Sequence, residues 1–219
     1  TTADLKGARV LVTAGGTREA IDAVRVITNR SSGKQGYAIA EEAVARGAVV
    51  TLVTTVDRPA PPGVDVVSVS SAAEMQEAVM ARAPATDIVV MAAAVADFRP
   101  VDPPARKVKK DEGLAAIALE PTHDFLVDLG QQKFPGQVLV GFAAETDDLR
   151  VNARRKLERK GLDLIVANDV AEPGAGFEHE TNHVVLIGAD GSEQDIPLAP
   201  KREIAKAVLD AVVRLRSEQ

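Results

Sequence analysis

Short apolar runs alternate with amphipathic stretches along most of the chain, which is the pattern of an α/β protein. The apolar runs are rich in Val, Ile and Leu and lack polar alternation, as expected for parallel strands that helices cover on both faces. Strand and helix follow one another in turn. The predicted strands are 8–13, 48–55, 64–69, 88–91, 114–119, 138–146 and 162–167. The predicted helices are 37–47, 71–83, 125–132, 149–160 and 201–214.

The pattern changes towards the C-terminus, where two strand-like runs flank Asp190-Gly191. This dipeptide is a strong signal for a tight β-hairpin. We therefore predict one domain over residues 1–219, a Rossmann-like parallel sheet flanked by helices with a C-terminal antiparallel hairpin arm. The arm covers residues 176–198. Such an arm can serve oligomerisation, and it can equally form the edge of a single chain.

Local signals predict several helix starts. Ser71 and Glu74 have the spacing of a capping box, in which each residue satisfies a backbone N–H of the first turn. Thr122 is a candidate cap for the helix that begins at Phe125. Asp97, after the fourth strand, can bind a ribose or magnesium or cap a helix, and the residue alone favours the cap.

Two segments are longer than ordinary connections and lack regular periodicity. Residues 18–27 separate the first strand from the first helix, and a connection of this length suggests a binding loop. Residues 100–113 contain three prolines and most of the five cationic residues found between Arg99 and Lys110. Basic clusters are usually solvated, but in an acidic protein a mobile flap that brings ammonium groups to phosphates is the better hypothesis.

Bulk composition narrows the function. The 219 residues carry 26 basic and 32 acidic side chains, a net charge of −6, so a DNA-binding surface is not indicated. Aromatic residues make up 3 %, which disfavours platforms that stack nucleic-acid bases. The absence of Cys excludes disulfides and thiol catalysis. No signal peptide and no apolar run of ~18 residues is visible, so we expect a cytoplasmic protein without a membrane partner.

The most informative stretch is polar and precedes the first helix. Residues 28–36 (TNRSSGKQG) offer an amide, two hydroxyls, an ammonium group and backbone N–H groups at a helix N-terminus. Such a place favours an anion, because the first turn has unpaired donors and the positive end of the helix dipole. A polar loop with a Ser cap and a Gly turn explains the same residues equally well.

Other candidate groups are weaker when taken singly. Gly15-Gly16 follows the first strand but supplies only half of a dinucleotide fingerprint. Lys156 and Lys160 share one helical face, where they bind an anion or form a solvated stripe. His179 and His183 lack a third ligand, so we do not predict a metal site from them.

The motifs taken together resemble phosphopantothenate–cysteine ligases. They run in order through the whole chain and are jointly specific. They cover residues 13–19, 22–25, 29–36, 93–98, 107–110, 141–146, 156–160 and 167–169. The resemblance is to the bacterial form, usually fused behind a flavin-dependent decarboxylase, and this chain looks like the ligase half alone.

The resemblance implies a two-step reaction in coenzyme A biosynthesis. The carboxylate of 4′-phosphopantothenate attacks the α-phosphorus of CTP and releases pyrophosphate. The amine of L-cysteine then attacks the acyl-cytidylate, which gives 4′-phosphopantothenoylcysteine and CMP. Magnesium is expected with the triphosphate, although its protein ligands are unknown. The family is dimeric, so the resemblance also implies a homodimer paired through the 176–198 arm, possibly larger when fused.

The resemblance also assigns site residues by position. Asn29 matches the asparagine that contacts the acyl intermediate, Ala94 a backbone contact to the pantothenate, and Lys107 the flap lysine needed to form the intermediate. The nucleotide-binding positions are Gly15, Gly16, Ser31, Ser32, Gly33, Met91, Ala92, Ala93, Asp97, Lys107, His123, Asp124, Phe125, Leu126, Phe142, Lys156 and Lys160. His123 stands where proline is common and Met91 where a small residue is common, so only backbone contacts are expected of these two.

Two other functions compete with the ligase. A dinucleotide-dependent reductase fits a parallel sheet with Gly15-Gly16, but G-x-G-x-x-G is missing and the second strand ends in Thr54-Thr55 rather than an acid. A binding module would use the lysine flap to dock an acidic partner. Pyrophosphate release from CTP, quenching of NADPH fluorescence, or neither, separates the three.

Overall fold

The computed structural model describes residues 2–112, 116–145, 147–169 and 179–217, with the backbone alone at Glu112 and Asp169. In that part of the chain the strands are β1 (Arg9–Ala14), β2 (Arg18–Ala20), β3 (Val26–Thr28), β4 (Val49–Thr54), β5 (Val64–Ser68), β6 (Ile88–Met91), β7 (Phe98–Pro100), β8 (Leu119–Pro121), β9 (Val138–Glu145), β10 (Leu164–Asp169), β11 (Thr181–Gly188) and β12 (Glu193–Pro200). The α-helices are α1 (Lys34–Ala45), α2 (Ala72–Met80), α3 (Phe125–Gln132), α4 (Leu149–Lys160) and α5 (Lys201–Ser217). Within the same ranges, no helix has the length and apolar character needed to cross a bilayer.

Eight strands form one sheet in the order β12-β11-β10-β9-β6-β1-β4-β5. The six strands from β5 to β10 in this order are parallel, and β11 and β12 add antiparallel pairs at one side. Val12 in the middle of β1 pairs with Leu52 on one side and with Val90 on the other. The α/β fold predicted from the sequence, a Rossmann-like parallel sheet between helices, is confirmed.

Alternate residues of the parallel strands point to two separate cores. Val10 and Val12 pack with α1 and α5 on one face of the sheet, whereas Leu11 packs with α2, α3 and α4 on the other. Both faces are therefore buried, which explains why the strands carry nearly continuous apolar runs. The apolar face of α5 is buried as well, through Ile204, Val208, Ala211, Val212 and Leu215.

Two small hairpins stand outside the main sheet, and they correct the sequence predictions. Residues 18–27, predicted as a long loop, contribute β2 and most of β3, which pair antiparallel. β7 pairs with β8, so the strand predicted at 114–119 begins instead at Leu119. Residues 114 and 115 of that prediction lie outside the described residues. These strands have three residues each, too few for a period-2 pattern to reveal them.

The local helix signals had different outcomes. The Ser71 hydroxyl accepts a hydrogen bond from the Glu74 N–H at 3.2 Å, and the Glu74 carboxylate accepts one from the Ser70 N–H at 2.8 Å. The predicted helix cap at Ser71 is therefore confirmed. Thr122 does not cap α3, because its hydroxyl donates to the carbonyl of Ala96. Asp97 caps no helix either, since the chain continues into β7.

The predicted C-terminal hairpin is confirmed as β11–β12, with the Asp190-Gly191 turn between the strands. Gly191 has φ 85°, a backbone conformation that glycine adopts readily. β11 pairs with β10, so the hairpin extends the main sheet of the same chain. Residues 176–178 of the predicted arm lie outside the described residues. The use of this arm for dimerisation stays a prediction.

Candidate active site

A cleft of about 310 Å³ opens along the carboxyl ends of the parallel strands. From β1 the chain moves to β4 and β5 on one side and then crosses back to β6 on the other. The strand order therefore reverses between β1 and β6, and such a reversal leaves a crevice in which open parallel sheets bind ligands. The loop after β6, residues 92–97, forms part of the cleft wall.

The loops after β1 and β6 are joined to one another. The Ala94 N–H donates to the Gly15 carbonyl at 2.8 Å, and the Thr17 N–H donates to the Ala94 carbonyl at 3.2 Å. A Cβ at Gly16 would lie 2.6 Å from the carbonyl oxygen of Asn29, so only glycine permits this approach. Gly15 and Gly16 thus allow the loops after β1 and β6 to contact one another at the base of the cleft, called its floor below.

Asn29 lies at the rim of this floor. Its side-chain amide donates to the carbonyl oxygens of Val95 at 3.2 Å and Ala94 at 3.4 Å. The residue is exposed, yet these two contacts orient it against the loop that follows β6. The structure thus brings together Asn29 and Ala94, the two residues predicted to bind the same substrate.

The N-terminus of α1 forms another part of the wall, as the TNRSSGKQG stretch predicts. Ser31 and Gly33 line the cleft, and no side chain caps the helix at Gly33. A Cβ on Gly36 would lie 2.6 Å from the Ala14 Cβ, so this glycine lets the helix start close against the end of β1. The helix dipole therefore adds positive potential at this wall.

The opposite wall comes from α3, α4 and the end of β9. Asp124 forms an ion pair with Lys160 at 3.0 Å, and Glu145 forms one with Lys156 at 2.7 Å. The sequence left open whether the two lysines bind an anion or form a solvated stripe, and in the structure each is paired with its own carboxylate. Phe125, Leu126 and Phe142 supply apolar surface beside these charges. The wall combines apolar contact area with two ammonium groups.

Most of the predicted site residues line this one cleft. They are Asn29, Ser31, Gly33, Met91, Ala92, Ala93, Ala94, Asp97, His123, Asp124, Phe125, Leu126, Phe142, Lys156 and Lys160. Gly15 and Gly16 lie under the floor, and Ser32 and Lys107 are not among the lining residues. The roles in binding of all these residues, whether or not they line the cleft, stay predictions.

Lys107 belongs to the basic loop 101–112. This loop is anchored at the next residue, Val108, by contacts with Asp22 and Arg25. The Val108 N–H donates to an Asp22 carboxylate oxygen at 3.1 Å, and the Arg25 guanidinium donates to the Val108 carbonyl at 2.9 Å. Asp22 is 3 % exposed and also pairs with the Arg25 side chain. Hydrogen bonds from Arg25, and then from the Val24 and Val108 amides, hold the pKa of Asp22 well below its usual range.

One end of the cleft, here called the polar end, consists of Lys34, Gln35, Asn168, Asn182 and Lys201. Asn168, Asn182 and Lys201 are 6 %, 1 % and 6 % exposed. Among the described residues, the Oδ1 atoms of both asparagines and the Oε1 atom of Gln35 are buried without a hydrogen-bond partner. Burial, and then the nearby charge of Lys34, lower the pKa of Lys201 to about 8, while Glu180 opposes the shift.

No cluster of three or more His, Asp or Glu side chains that could hold a metal occurs in the described ranges. His183 instead contacts Asp195 at 2.8 Å, and His123 contacts Asp128 at 2.6 Å. Asp97 is the exposed carboxylate on the loop after β6. It fits the requirement of a magnesium ion that takes one protein carboxylate and the oxygens of a bound triphosphate.

The family model for the DNA/pantothenate metabolism flavoprotein C-terminal domain matches residues 5–215. The chain belongs to this family. It is 46 % identical over 220 residues to the coenzyme A biosynthesis bifunctional protein CoaBC of Bacillus subtilis, covering all of this chain and 54 % of that protein. The CoaBC of Mycobacterium tuberculosis is 48 % identical over 222 residues, covering 96 % and 53 %. The chain thus spans about half the length of these relatives.

A third relative has a different name. It is a cysteine/cysteine sulfinic acid decarboxylase from an unknown prokaryotic organism, 45 % identical over 213 residues, covering 96 % of this chain and 59 % of that protein. The decarboxylase name describes that longer protein. It does not assign a decarboxylase reaction to the segment shared with this chain.

Solved structures agree with the family. The C-terminal domain of a CoaBC superposes with a TM-score of 0.84 at 41 % identity, covering 100 % of both chains. A Cab2 mutant in complex with phosphopantothenate-cysteine superposes with a TM-score of 0.77 at 18 % identity, covering 96 % and 87 %. The second likeness shows the shared fold alone.

In this family member, sequence reasoning missed most of the polar end. Lys34 supplied the ammonium group of the predicted anion site, but Gln35, in the same stretch, and Asn168, in a family motif, had received no role. Asn182 and Lys201 carried no signal, because a polar residue near a turn and a lysine at a helix start are both common on surfaces. Only the pairing of β10 with β11, and the packing of α5 against α1, place them in the cleft.

Proposed function

We propose that this chain is a CTP-dependent ligase that joins 4′-phosphopantothenate to L-cysteine. The observation that supports this proposal most directly is the cleft where the strand order reverses. There Asn29 contacts Ala94 beside the N-terminus of α1, which has no side-chain cap, and several lysines line the walls. Family membership and the CoaBC relatives support the same reaction. A site built from positive charge and backbone donors suits a reaction whose main needs are positioning and charge neutralisation.

In the first step, a carboxylate oxygen of 4′-phosphopantothenate attacks the α-phosphorus of CTP. The bond from that phosphorus to the bridging oxygen breaks, and pyrophosphate leaves with the electron pair. Lys156 and Lys160, each beside a carboxylate, offset the negative charge of the nucleotide. The apolar surface of Phe142 and Leu126 supports the rest of the nucleotide. Lys107 reaches the phosphates when the basic loop closes.

In the second step, the amine nitrogen of cysteine attacks the acyl carbon of the cytidylate. The carbon–oxygen bond to CMP breaks, CMP leaves, and the amine loses its proton to solvent. The amide of Asn29 donates to the carbonyl oxygen on which negative charge develops, in the position where it now donates to Val95 and Ala94. No protein nucleophile is needed for either bond.

Magnesium accompanies the nucleotide in this proposal, with Asp97 as a candidate protein ligand and phosphate oxygens as the others. The ion supplies charge neutralisation for the triphosphate. We further propose that the protein is a homodimer, larger where a decarboxylase half is fused to it. Light scattering during size-exclusion chromatography measures this directly, and a monomer mass at assay concentrations would contradict it.

The decisive assay incubates the chain with CTP, magnesium and 4′-phosphopantothenate, with and without L-cysteine. We expect pyrophosphate and acyl-cytidylate without cysteine, and 4′-phosphopantothenoylcysteine with CMP when cysteine is added. Parallel reactions with ATP test the choice of nucleotide, and NADPH fluorescence tests the reductase. If neither CTP nor ATP yields pyrophosphate, the proposed ligase activity is refuted.

A further inference from the structure

Thr17 immediately precedes β2 and is completely buried. Its hydroxyl accepts a hydrogen bond from the Ala96 N–H at 2.8 Å. Its N–H donates to the Ala94 carbonyl at 3.2 Å, and its carbonyl accepts from the Thr28 hydroxyl at 2.8 Å. All three polar groups of this residue therefore contact the two segments that meet at Asn29.

These contacts lie on both sides of the Asn29 side chain. On one side, Thr28 is the residue before Asn29, and its hydroxyl also lies 3.3 Å from the Asn29 carbonyl oxygen. On the other side, the Ala94 carbonyl accepts from both the Thr17 N–H and the Asn29 amide. The residue that the Thr17 hydroxyl holds directly follows Val95, whose carbonyl is the second acceptor of that amide. Asn29 and its acceptors are thus held against one buried residue.

The Val95 carbonyl and the Ala96 N–H belong to the same planar peptide unit, so neither can turn without the other. The Thr17 hydroxyl contacts this unit at its N–H, and the Asn29 amide contacts it at its carbonyl. Ala96 is 4 % exposed, so water cannot readily replace the hydroxyl. A buried N–H that loses its acceptor stays unsatisfied at a cost or turns towards another acceptor. Such a turn would withdraw the carbonyl that orients Asn29.

Two other threonines hold the ends of the same loop, residues 92–97. The Thr13 hydroxyl accepts from the Ala93 N–H at 3.0 Å near the beginning of the loop. Thr122 contacts the end of the loop through both its hydroxyl and its N–H. Both ends therefore keep these anchors when the Thr17 hydroxyl is removed. The peptide in contact with Asn29 is the part that loses its anchor.

We propose that Thr17 is a positioning residue for the second step of the reaction, acting on the Asn29 amide through the peptide between Val95 and Ala96. This inference rests on the proposed function, in which that amide donates to the acyl oxygen as cysteine attacks. An amide that is already oriented needs no reorganisation when negative charge develops on this oxygen. Without the Thr17 hydroxyl, the amide adopts other orientations and the second step slows. The first step proceeds without this amide.

Thr17→Val tests the proposal, because valine keeps the branched shape of the side chain and removes its hydroxyl. Pyrophosphate release without cysteine measures the first step, and rapid-quench reaction of preformed acyl-cytidylate with cysteine measures the second. We expect the second-step rate to fall about tenfold, which is typical for loss of one partner of a buried hydrogen bond. The rate of pyrophosphate release and the KM for CTP should stay within about twofold of wild type.

Two further variants separate positioning from a general loss of structure. Thr17→Ser restores the hydroxyl and should return the second step to within about threefold of wild type. Thr86→Val is the matched control, since Thr86 is 6 % exposed and its hydroxyl donates to the Arg82 carbonyl at 2.8 Å. Thr86 precedes β6, at the opposite end of that strand from loop 92–97. Its variant loses a hydroxyl contact too, yet both steps should proceed as in wild type.

A double variant tests whether Thr17 acts through Asn29. If it does, Thr17→Val combined with Asn29→Asp should react no more slowly in the second step than Asn29→Asp alone. Independent contributions would instead multiply, giving a loss of about 10³-fold from single losses of about tenfold and 10²-fold.

The orientation of the Asn29 amide can also be observed without any reaction. Its side-chain NH₂ signals in nuclear magnetic resonance spectra, assigned by their loss in Asn29→Asp, should move in Thr17→Val towards those of a free asparagine side chain. Thr86→Val should leave them unchanged. A second variant, Thr28→Val, lies at an exposed position and removes the contact to the Thr17 carbonyl, so it should slow the second step severalfold without disturbing the core.

A wild-type second step in Thr17→Val, equal slowing of both steps, or multiplied losses in the double variant overturns the proposal. If Thr17→Val does not fold, a wild-type second step in Thr28→Val overturns it instead. A wild-type chain that forms no acyl-cytidylate refutes the proposed function, and the Asn29 signals then decide whether Thr17 holds this side chain. The two proposals therefore fail separately.

Discussion

Asn29 shows how a single exposed side chain can be given a fixed orientation. Its amide donates to two carbonyls of the loop after β6, so the side chain is held although the residue is exposed. The glycine at position 16 allows this approach, since any side chain there would collide with the Asn29 carbonyl. The pair was predicted from separate motifs, and the structure shows that the motifs meet.

The first prediction concerns Asn29→Asp. A carboxylate cannot donate a hydrogen bond and repels both the Ala94 carbonyl and a negative oxygen on the intermediate. We expect formation of 4′-phosphopantothenoylcysteine to fall about 10²-fold or more, a loss comparable to removing one donor of an oxyanion site. Rapid-quench chromatography should show acyl-cytidylate that accumulates. Asn152→Asp, on α4 outside the cleft, is the control, and wild-type turnover in Asn29→Asp would remove the assigned role.

The second prediction concerns the stability of the fold and Lys201. Its pKa falls from 10.5 to about 8 on folding, so the folded state binds fewer protons than the unfolded state between these values. Below pH 8 the buried charge costs stability, and that cost is relieved as the pH rises towards 10.5. Lys201→Met should therefore stabilise the free protein at pH 7 by about 1 to 3 kcal/mol, with little effect at pH 10.5. Urea unfolding at both pH values measures this, and a destabilised variant at pH 7 would contradict it.

Loop 101–112 is the element in which sequence and structure differ most. The sequence predicts a free flap, whereas the structure anchors Val108 to Asp22 and Arg25 on the β2–β3 hairpin. Lys107 is exposed and away from the lining of the cleft. The anchor lies next to Lys107, so a closing movement must either break it or pivot about it.

The third prediction is that Lys107→Gln blocks pyrophosphate release. Glutamine keeps a polar side chain but cannot neutralise a phosphate, and loss of such a charge typically costs about 10²-fold or more in rate. Coupled pyrophosphate detection without cysteine isolates the first step. Lys110→Gln, three residues along the same loop, is the matched control and should remain close to wild type. Equal losses in both variants would indicate that general charge, and not Lys107, matters.

The fourth prediction tests the anchor itself. Asp22→Asn removes the charge that pairs with Arg25 and weakens the bond from the Val108 amide, so hydrogen exchange in residues 101–112 should accelerate severalfold. The Asp22 pKa is held below its usual range, so in wild type this anchor persists at neutral pH and is lost only in strong acid, as the pH falls through the lowered pKa. Asp65→Asn, exposed on β5, is the control. Unchanged exchange in the loop would show that the anchor does not restrain it.

For the whole molecule, Arg46 joins the chain's first residues to the two helices on one face of the sheet. Its guanidinium is buried and pairs with Glu42 at 2.9 Å, Asp210 at 2.7 Å and Asp4 at 3.5 Å. These carboxylates come from α1, α5 and the segment before β1. The cluster fixes α5 against α1, and α5 in turn begins with the cleft residue Lys201.

The fifth prediction is that Arg46→Ala destabilises the fold by about 3 kcal/mol, because three carboxylates are left around a buried gap without their cation. Denaturant unfolding at pH 7 measures the change, and Arg214→Ala on the exposed side of α5 should cost less than about 0.5 kcal/mol. If Arg46→Ala and Arg214→Ala had the same free energy of unfolding, the ion pairs of Arg46 would not stabilise the fold.

The sequence alone determined the alternation of strands and helices, the cap at Ser71 and the Asp190-Gly191 turn. Each of these depends on residues a few positions apart, whose periodicity and hydrogen bonds are visible in a short window. The two-sided burial of the sheet also followed from its apolar runs. Resemblance to a family then named most of the residues that line the cleft.

Tertiary structure decided the rest. The strands β7 and β8 pair although many residues separate them in sequence, and Asp22 meets Val108 across more than eighty positions. Lys201 and Asn182 enter the cleft only because β11 extends the sheet and α5 packs on α1. A polar residue is buried or solvated according to what packs over it, and that is a property of long-range contacts rather than of its neighbours in sequence.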